Sequence, residues 1–393
     1  MTTSTDMNIY CDNSRRSCAE KCLRKRFWNF EYKNRGIEPI RKGKSEFPLL
    51  TGTGVHRMVE ASLHMDAAWT DESDPYKDFD CQGDERLEYL VGEQKALMQG
   101  IHGAWFATKY ESFIATYEVL DIEREESVEL APGVVWMSRP DLLVRRRSDG
   151  ALFIVNLKTT KKADERWVSQ WPLDMQTLSE VVAVEHRLND EFGGDKDGEL
   201  IKLSGVIILG LLKGEQLQYP AGSGNWYHNS PLIWAWHNES GKVHPRGEWS
   251  ARYEWADDEG NHRLGKGWVK REIWLHYAGG VKEWIRHLSE TDPALLEEQV
   301  VQLPPILRSE QQIQSWKQTV IHQERKIREN RLTVLQGSLT LDECFPLSTA
   351  SGNCLWPSKC GMYSICHEGA DPDDQERFQP RPCNHPQEQV SKG

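Results

Sequence analysis

Cys354, Cys360 and Cys366 recur every six residues near the C-terminal end, in Cys-Leu-Trp-Pro-Ser-Lys-Cys-Gly-Met-Tyr-Ser-Ile-Cys. Three thiols on one loop-rich stretch suit a soft metal or an iron–sulfur cluster, because both need several sulfur ligands held close together. A fourth ligand must then come from far away in sequence, and Cys22 is the best candidate. Such a site would oblige the fold to bring its first and last segments together. A structural zinc, a disulfide pair and plain buried thiols are the other uses open to the same residues.

The other cysteines are Cys11, Cys18, Cys81, Cys344 and Cys383, nine in all, and an odd number argues against a fully oxidised secreted framework. Cys18, one helical turn before Cys22, is the alternative N-terminal ligand, and Cys383 is a weaker substitute at the other end. The opening Met-Thr-Thr-Ser-Thr-Asp-Met has no charged stretch followed by an apolar one, and no apolar run reaches membrane-spanning length. The expectation is a cytoplasmic protein, without membrane contact, whose thiols stay reduced and free to bind metal.

With 393 residues the chain can form one elaborated domain or two ordinary ones. Its formal net charge of -12 argues against a nucleic-acid partner, but the charge is unevenly spread. Eleven basic residues fall between Arg15 and Lys44 against three acids, with Arg24, Lys25 and Arg26 consecutive and Phe27, Trp28, Phe30 and Tyr32 just behind them. Cations interleaved with aromatics can follow a phosphate backbone and stack on bases, which makes Arg24, Lys25 and Arg26 candidate DNA contacts. A solvated helix whose aromatics face the core reads equally well from the same pattern.

Periodicity and turn residues divide the chain. Residues 14–32 read as a helix capped by Ser14, and residues 53–66 as a second helix. The segment 117–158 is β-rich, and Asp149-Gly150 signals a tight hairpin between its last two strands. Helical spacing returns over 171–188, residues 203–212 read as a buried strand, and 308–334 as a polar helix. Eight tryptophans over 216–290 suggest added hairpins. The last fifteen or so residues read as disordered. The expected segments are 1–45 (basic helix), 46–215 (core), 216–290 (Trp-rich elaboration), 291–340 (helical) and 341–393 (cysteine-bearing tail).

The chemistry is expected on the hairpin. Asp141 opens one strand and Asn156-Leu-Lys158 ends its neighbour, so a carboxylate, an amide and an amine meet at one sheet edge. Mg²⁺ or Mn²⁺ wants oxygen ligands, and a neighbouring lysine can stabilise developing negative charge.

An ordered set of motifs goes further: Cys22-Leu-Arg-Lys-Arg-Phe-Trp, Gly54-Val-His56-Arg-Met-Val-Glu60, Arg139-Pro-Asp141-Leu-Leu-Val, Ile154-Val-Asn-Leu-Lys158-Thr-Thr, Gln176-Thr-Leu-Ser-Glu180 and the Cys354/Cys360/Cys366 tail. Together they resemble the RecB-type branch of the PD-(D/E)XK nuclease superfamily. More narrowly, the chain is similar to the iron–sulfur exonuclease-like proteins common in phages and to the CRISPR-associated adaptation exonucleases. The resemblance implies an α/β protein of restriction-endonuclease-like fold, a mixed central sheet flanked by helices, with a cluster stapling the two ends. It makes His56 and Asp141 ligands of Mg²⁺ or Mn²⁺, Lys158 the catalytic lysine, and Gln176 a residue that positions DNA and that lysine. Cys22, Cys354, Cys360 and Cys366 become the ligands of a 4Fe–4S cluster.

Two positions depart from the family pattern. Asn156 stands where the family has Asp or Glu, and Glu180 where it usually has Tyr. An amide oxygen at Asn156 can still touch a metal but brings no charge. Glu180, four residues after Gln176 on one helix face, could return a carboxylate to the site. The implied function is metal-dependent hydrolysis of DNA, as an exonuclease in phage or bacterial recombination or repair, with a phage recombinase or single-strand binding protein as a further partner. The alternative is a DNA-binding or assembly subunit that keeps the fold without cleavage.

Overall fold

The structure, a computed structural model, describes residues 9–40, 46–64, 73–194, 198–218, 226–237, 242–244, 253–254, 262–264, 268–348, 350, 352–355 and 359–382. It is an α/β protein with mixed sheets. The central sheet has five strands: β1 (Tyr117–Ile122), β2 (Leu142–Arg146), β3 (Leu152–Thr160), β4 (Val206–Leu212) and β5 (Val300–Gln302). Their spatial order is β5-β4-β3-β2-β1, with β3 and β4 parallel and the other neighbours antiparallel. β3 reads Leu-Phe-Ile-Val-Asn-Leu and is buried on both faces from Phe153 to Leu157, as suits a strand covered by helices on each side. The expected Asp149-Gly150 turn is present: Gly150 adopts φ +76°, a conformation cheap only for glycine, and closes the hairpin between β2 and β3.

The helices used below are α1 (Asn13–Lys21), α2 (Phe47–Leu63), α3 (Glu85–Trp105), α4 (Met175–Phe192) and α5 (Glu310–Leu335). One core joins α2 and α3 to one face of the sheet through Val55, Val59, Leu97, Ile101, Leu142, Val144, Phe153 and Val155. A second joins α4 to the opposite face through Leu143, Ile154, Val181, Val184 and Ile208. Alternation along each strand sends neighbouring residues to these two cores, so α2 and α4 approach the sheet from opposite sides. At Gly54 a methyl group would collide with Met98 Sδ on α3, and the missing side chain lets the two helices pack closely where α2 delivers His56.

Several boundaries differ from expectation. The helix expected over 14–32 starts one residue earlier, with Asp12 as its cap: its carboxylate accepts the Arg15 N–H at 2.7 Å. It also breaks at Cys22, which is extended (φ -164°, ψ 114°) and whose sulfur accepts the Lys25 N–H of the next short helix, Leu23–Arg26. The helix expected over 53–66 runs from Phe47, with a proline in its first turn, where a missing N–H costs nothing. The Trp-rich segment contains a five-stranded sheet that includes Trp234–His237 and Trp268–Glu272, but Ile273–His276 and Gly280–Thr291 are helical and carry Trp274 and Trp284. At the C-terminal end, Phe378–Pro380 pairs with Ile37–Pro39, so the tail is ordered at least that far; residues 383–393, including Cys383, lie outside the described residues. Among the described residues, no helix is long and apolar enough to cross a membrane.

Candidate active site and cysteine cluster

Three backbone elements aim polar groups at one point. α2 carries His56, the residue before β2 is Asp141, and the residue after β1 is Glu123. One ligand atom from each of these three side chains lies within 4.8 Å of the other two, and among the described residues no other trio or larger group of His, Cys, Asp or Glu converges so closely. His56 Nδ1 is 3.7 Å from Asp141 Oδ1, and the other oxygen, Oδ2, accepts the Leu157 N–H at 2.6 Å. That bond fixes Asp141 against β3 and leaves Oδ1 to face the histidine. Burial lowers the His56 pKa, with partial opposition from Asp141, and so favours the neutral ring that can ligate a metal.

Glu123 is the residue the sequence reading missed. It has φ +48°, rare outside glycine, and its N–H donates to the Asp141 carbonyl at 3.0 Å after an irregular stretch in the β1–β2 ladder. Burial, then the nearby Asp141 and Glu60 carboxylates, push its pKa up to about 8, against the pull of Arg139 at 2.8 Å. Glu60, one turn beyond His56, is raised by burial and by Asp141. Crowded carboxylates of this kind disfavour their own ionisation, and a divalent cation would relieve them. A cation at Glu123 would have to displace that proton, so its binding would strengthen as pH rises toward 8. The only sequence signal was an acid closing the strand Glu-Val-Leu-Asp-Ile-Glu.

Asn156 is fully buried on β3. Its Nδ2 donates to Glu180 Oε2 at 2.6 Å, and Gln176 Nε2 donates to Glu180 Oε1 at 2.8 Å, so two amides hold one carboxylate from strand and helix. Glu180 thus faces β3 as its spacing suggested, but it serves Asn156 and Gln176, and the third ligand position near His56 and Asp141 goes to Glu123. Burial raises the Glu180 pKa to about 7, opposed first by Lys158. Asn156 Oδ1 has no hydrogen-bond partner, an unusual state for a buried carbonyl oxygen and a suitable one for a neutral metal ligand. Lys158, two residues along β3, acts electrostatically on both His56 and Glu180 and has no ion-pair or hydrogen-bond partner among the described residues.

At the other end of the molecule the thiols of Cys22, Cys354, Cys360 and Cys366 are free. The Cys354 thiol is raised by burial, then by Cys22 and Cys360; that of Cys366 is pushed to about 11 by burial, against Arg24, with Cys22 and Cys360 adding to the rise. Cys354 and Cys366 are thus each within electrostatic reach of Cys22 and Cys360. The surrounding packing joins the termini without a metal. Ala19, Phe27, Trp28 and Ile37 share a core with Phe345, Met362 and Phe378, and Asn353 Nδ2 donates to the Lys21 carbonyl at 2.7 Å. Cys18 is buried, its thiol pushed by desolvation to about 11.

The basic run requires a correction. Arg24 and Arg26 are buried and cannot serve DNA. Arg24 Nε donates to the Phe345 carbonyl at 2.6 Å and its guanidinium also pairs with Asp342, whereas Arg26 pairs with Glu324 at 2.9 Å and Glu31 at 3.2 Å. Phe27, Trp28 and Phe30 are buried too, and of the four aromatics only Tyr32 keeps partial exposure. Of the three proposed contacts only Lys25 keeps partial exposure. A buried cation must be paired, and this chain uses its arginines for that purpose. Arg41, Lys42 and Lys44 lie outside the described residues.

Compared with protein-family models and with curated proteins, the chain matches none.

Proposed function

We propose that the chain is a metal-dependent deoxyribonuclease of restriction-endonuclease-like fold, related to the RecB-type exonucleases. The observation that carries this reading is the convergence of His56, Glu123 and Asp141 near Lys158, which has no hydrogen-bond or ion-pair partner among the described residues. The donor set, one neutral imidazole and two carboxylates with an unpartnered amide oxygen nearby, suits Mg²⁺ or Mn²⁺. When bound, such an ion would act as a Lewis acid and lower the pKa of a water molecule. Glu123 supplies the negative charge that Asn156 withholds. Asp141 is held in place by the Leu157 N–H, and Gln176 fixes Glu180, whose carboxylate in turn orients Asn156. Lys158 is free to meet the charge that develops on the scissile phosphate, where a preorganised cation lowers the barrier most.

The mixed sheet flanked by helices, and the order of the motifs along it, support the same reading. Asn156 favours a second one, a DNA-binding subunit without cleavage. Labelled linear DNA distinguishes them. The parent is expected to degrade DNA with Mn²⁺, Asp141→Asn to lose this, and Asn156→Asp to gain about tenfold with Mg²⁺. The nuclease reading fails when neither the parent nor Asn156→Asp cleaves with either ion.

Cys22, Cys354, Cys360 and Cys366 are proposed to hold a 4Fe–4S cluster with a structural role; the electrostatic coupling of Cys354 and Cys366 to Cys22 and Cys360 supports this. Anaerobically purified protein should be brown, with broad visible absorbance that bleaches on reduction and disappears in Cys360→Ser. Colourless protein with stoichiometric zinc would overturn the assignment.

A further inference from the structure

A second site lies where the parallel strands β3 and β4 end. Lys161 follows β3 and Lys213 follows β4, and the Lys213 N–H donates to the Thr160 carbonyl at 2.8 Å, so the pairing of the two strands sets the two lysines side by side. Both line a cavity of about 280 Å³ whose apolar walls include Phe47, Pro48 and Leu90. Neither ammonium has an ion-pair partner among the described residues, and burial, then Lys161, lowers the Lys213 pKa.

His228 lines the same cavity and is 7% exposed. A chain of hydrogen bonds defines its tautomer. Thr51 Oγ1 donates to Gln94 Oε1 at 2.8 Å, which leaves the Gln94 amide nitrogen as donor to His228 Nε2 at 2.7 Å. Nε2 is then the acceptor and Nδ1 carries the proton, yet Nδ1 has no hydrogen-bond partner among the described residues. Burial, then Lys213 and Lys161, hold this imidazole at a pKa of about 4, so it is neutral near pH 7 and its Nδ1–H is a fixed donor. Glu93, the carboxylate packed against His228, accepts that residue's backbone N–H at 3.1 Å and does not reach Nδ1.

Two uncompensated ammonium groups and a buried N–H without an acceptor call for an anion. The apolar walls call for a ring, and a crevice beyond the C-terminal ends of parallel strands is a common place for a ligand. We propose that this cavity binds one nucleotide, its phosphate at Lys161, Lys213 and His228 and its base against Pro48 and Leu90. The nucleotide is either free or the terminal unit of a DNA strand, and the strand-end source rests on the nuclease reading. Lys161 lies three residues past Lys158 on the same strand direction, roughly 10 Å at the rise of extended chain.

Calorimetry on the full chain in EDTA tests this without any cleavage, so failure of the nuclease reading leaves the result intact. dAMP should bind at least tenfold more tightly than deoxyadenosine. Lys161→Gln/Lys213→Gln should weaken dAMP at least tenfold with its melting temperature retained, and the single Lys161→Gln, at the more exposed position, should weaken it severalfold. The His228 ring signals should titrate at higher pH with dAMP present, because a phosphate favours the imidazolium. A short single strand that gains at least tenfold from a terminal phosphate identifies the strand end as ligand; one that gains nothing, with dAMP still bound, identifies the free nucleotide. The proposal is overturned when dAMP binds no better than deoxyadenosine, or when the lysine variants bind dAMP as the parent does.

Discussion

Replacing Lys158 by alanine is expected to lower the rate of DNA cleavage by about 10²–10³-fold while leaving DNA affinity within a few-fold. Lys158 makes no hydrogen bond or ion pair among the described residues, so removing it breaks none of these, and its effect should fall mainly on charge that appears in the transition state. Glu123→Gln should lose activity by a different route, through weaker cation binding, and higher Mn²⁺ should restore part of it. Glu180→Gln should cost less than Glu123→Gln, because both Glu180 oxygens are engaged by amides and the residue acts through Asn156 and Gln176. The comparison is a cleavage time course across Mn²⁺ concentrations. Robust activity in both Lys158→Ala and Glu123→Gln would sink the active-site assignment.

The second large effect concerns stability. Arg26→Met should destabilise the fold by about 3–5 kcal/mol in urea denaturation, because Glu324 would be left charged and buried without its partner. Both side chains are 1% exposed, and burial raises the Glu324 pKa against the stabilising pull of Arg26. Adding Glu324→Leu should recover most of the loss, since a matched apolar pair of similar volume does without the desolvation that the ion pair suffers. Lys25→Ala, on the exposed side of the same helix, should stay within about 0.5 kcal/mol of the parent. A loss below about 1 kcal/mol in Arg26→Met would show that the pair is hydrated and that the basic run is surface after all.

The two predictions mark where a linear reading holds. Strands β2 and β3, the Asp149-Gly150 turn, the helix that carries Gln176 and Glu180, and the long polar helix α5 were all legible, because each follows from local spacing and turn chemistry. So was the placement of Asp141 against the end of the neighbouring strand, since a tight hairpin fixes which residues face each other. Local rules also placed Glu180 on the face of Gln176.

Other features depended on contacts between distant parts of the chain. Glu123 enters the site through an irregular β1–β2 pairing and a positive φ, neither of which leaves a mark in residue spacing. Arg24 and Arg26 looked like a solvent-facing charge run, but their partners Phe345, Asp342 and Glu324 lie about three hundred residues away in sequence. Lys161, Lys213 and His228 come together only because two strands pair in parallel and a hairpin folds back over their ends. The sequence by itself determined the alternating strands, the hairpin and the helix faces, because backbone propensity and side-chain period act over a few residues. Only the tertiary structure decided which charges are buried, which acids share one point and which cations are left without a partner, because burial and desolvation depend on neighbours that sequence proximity does not reveal.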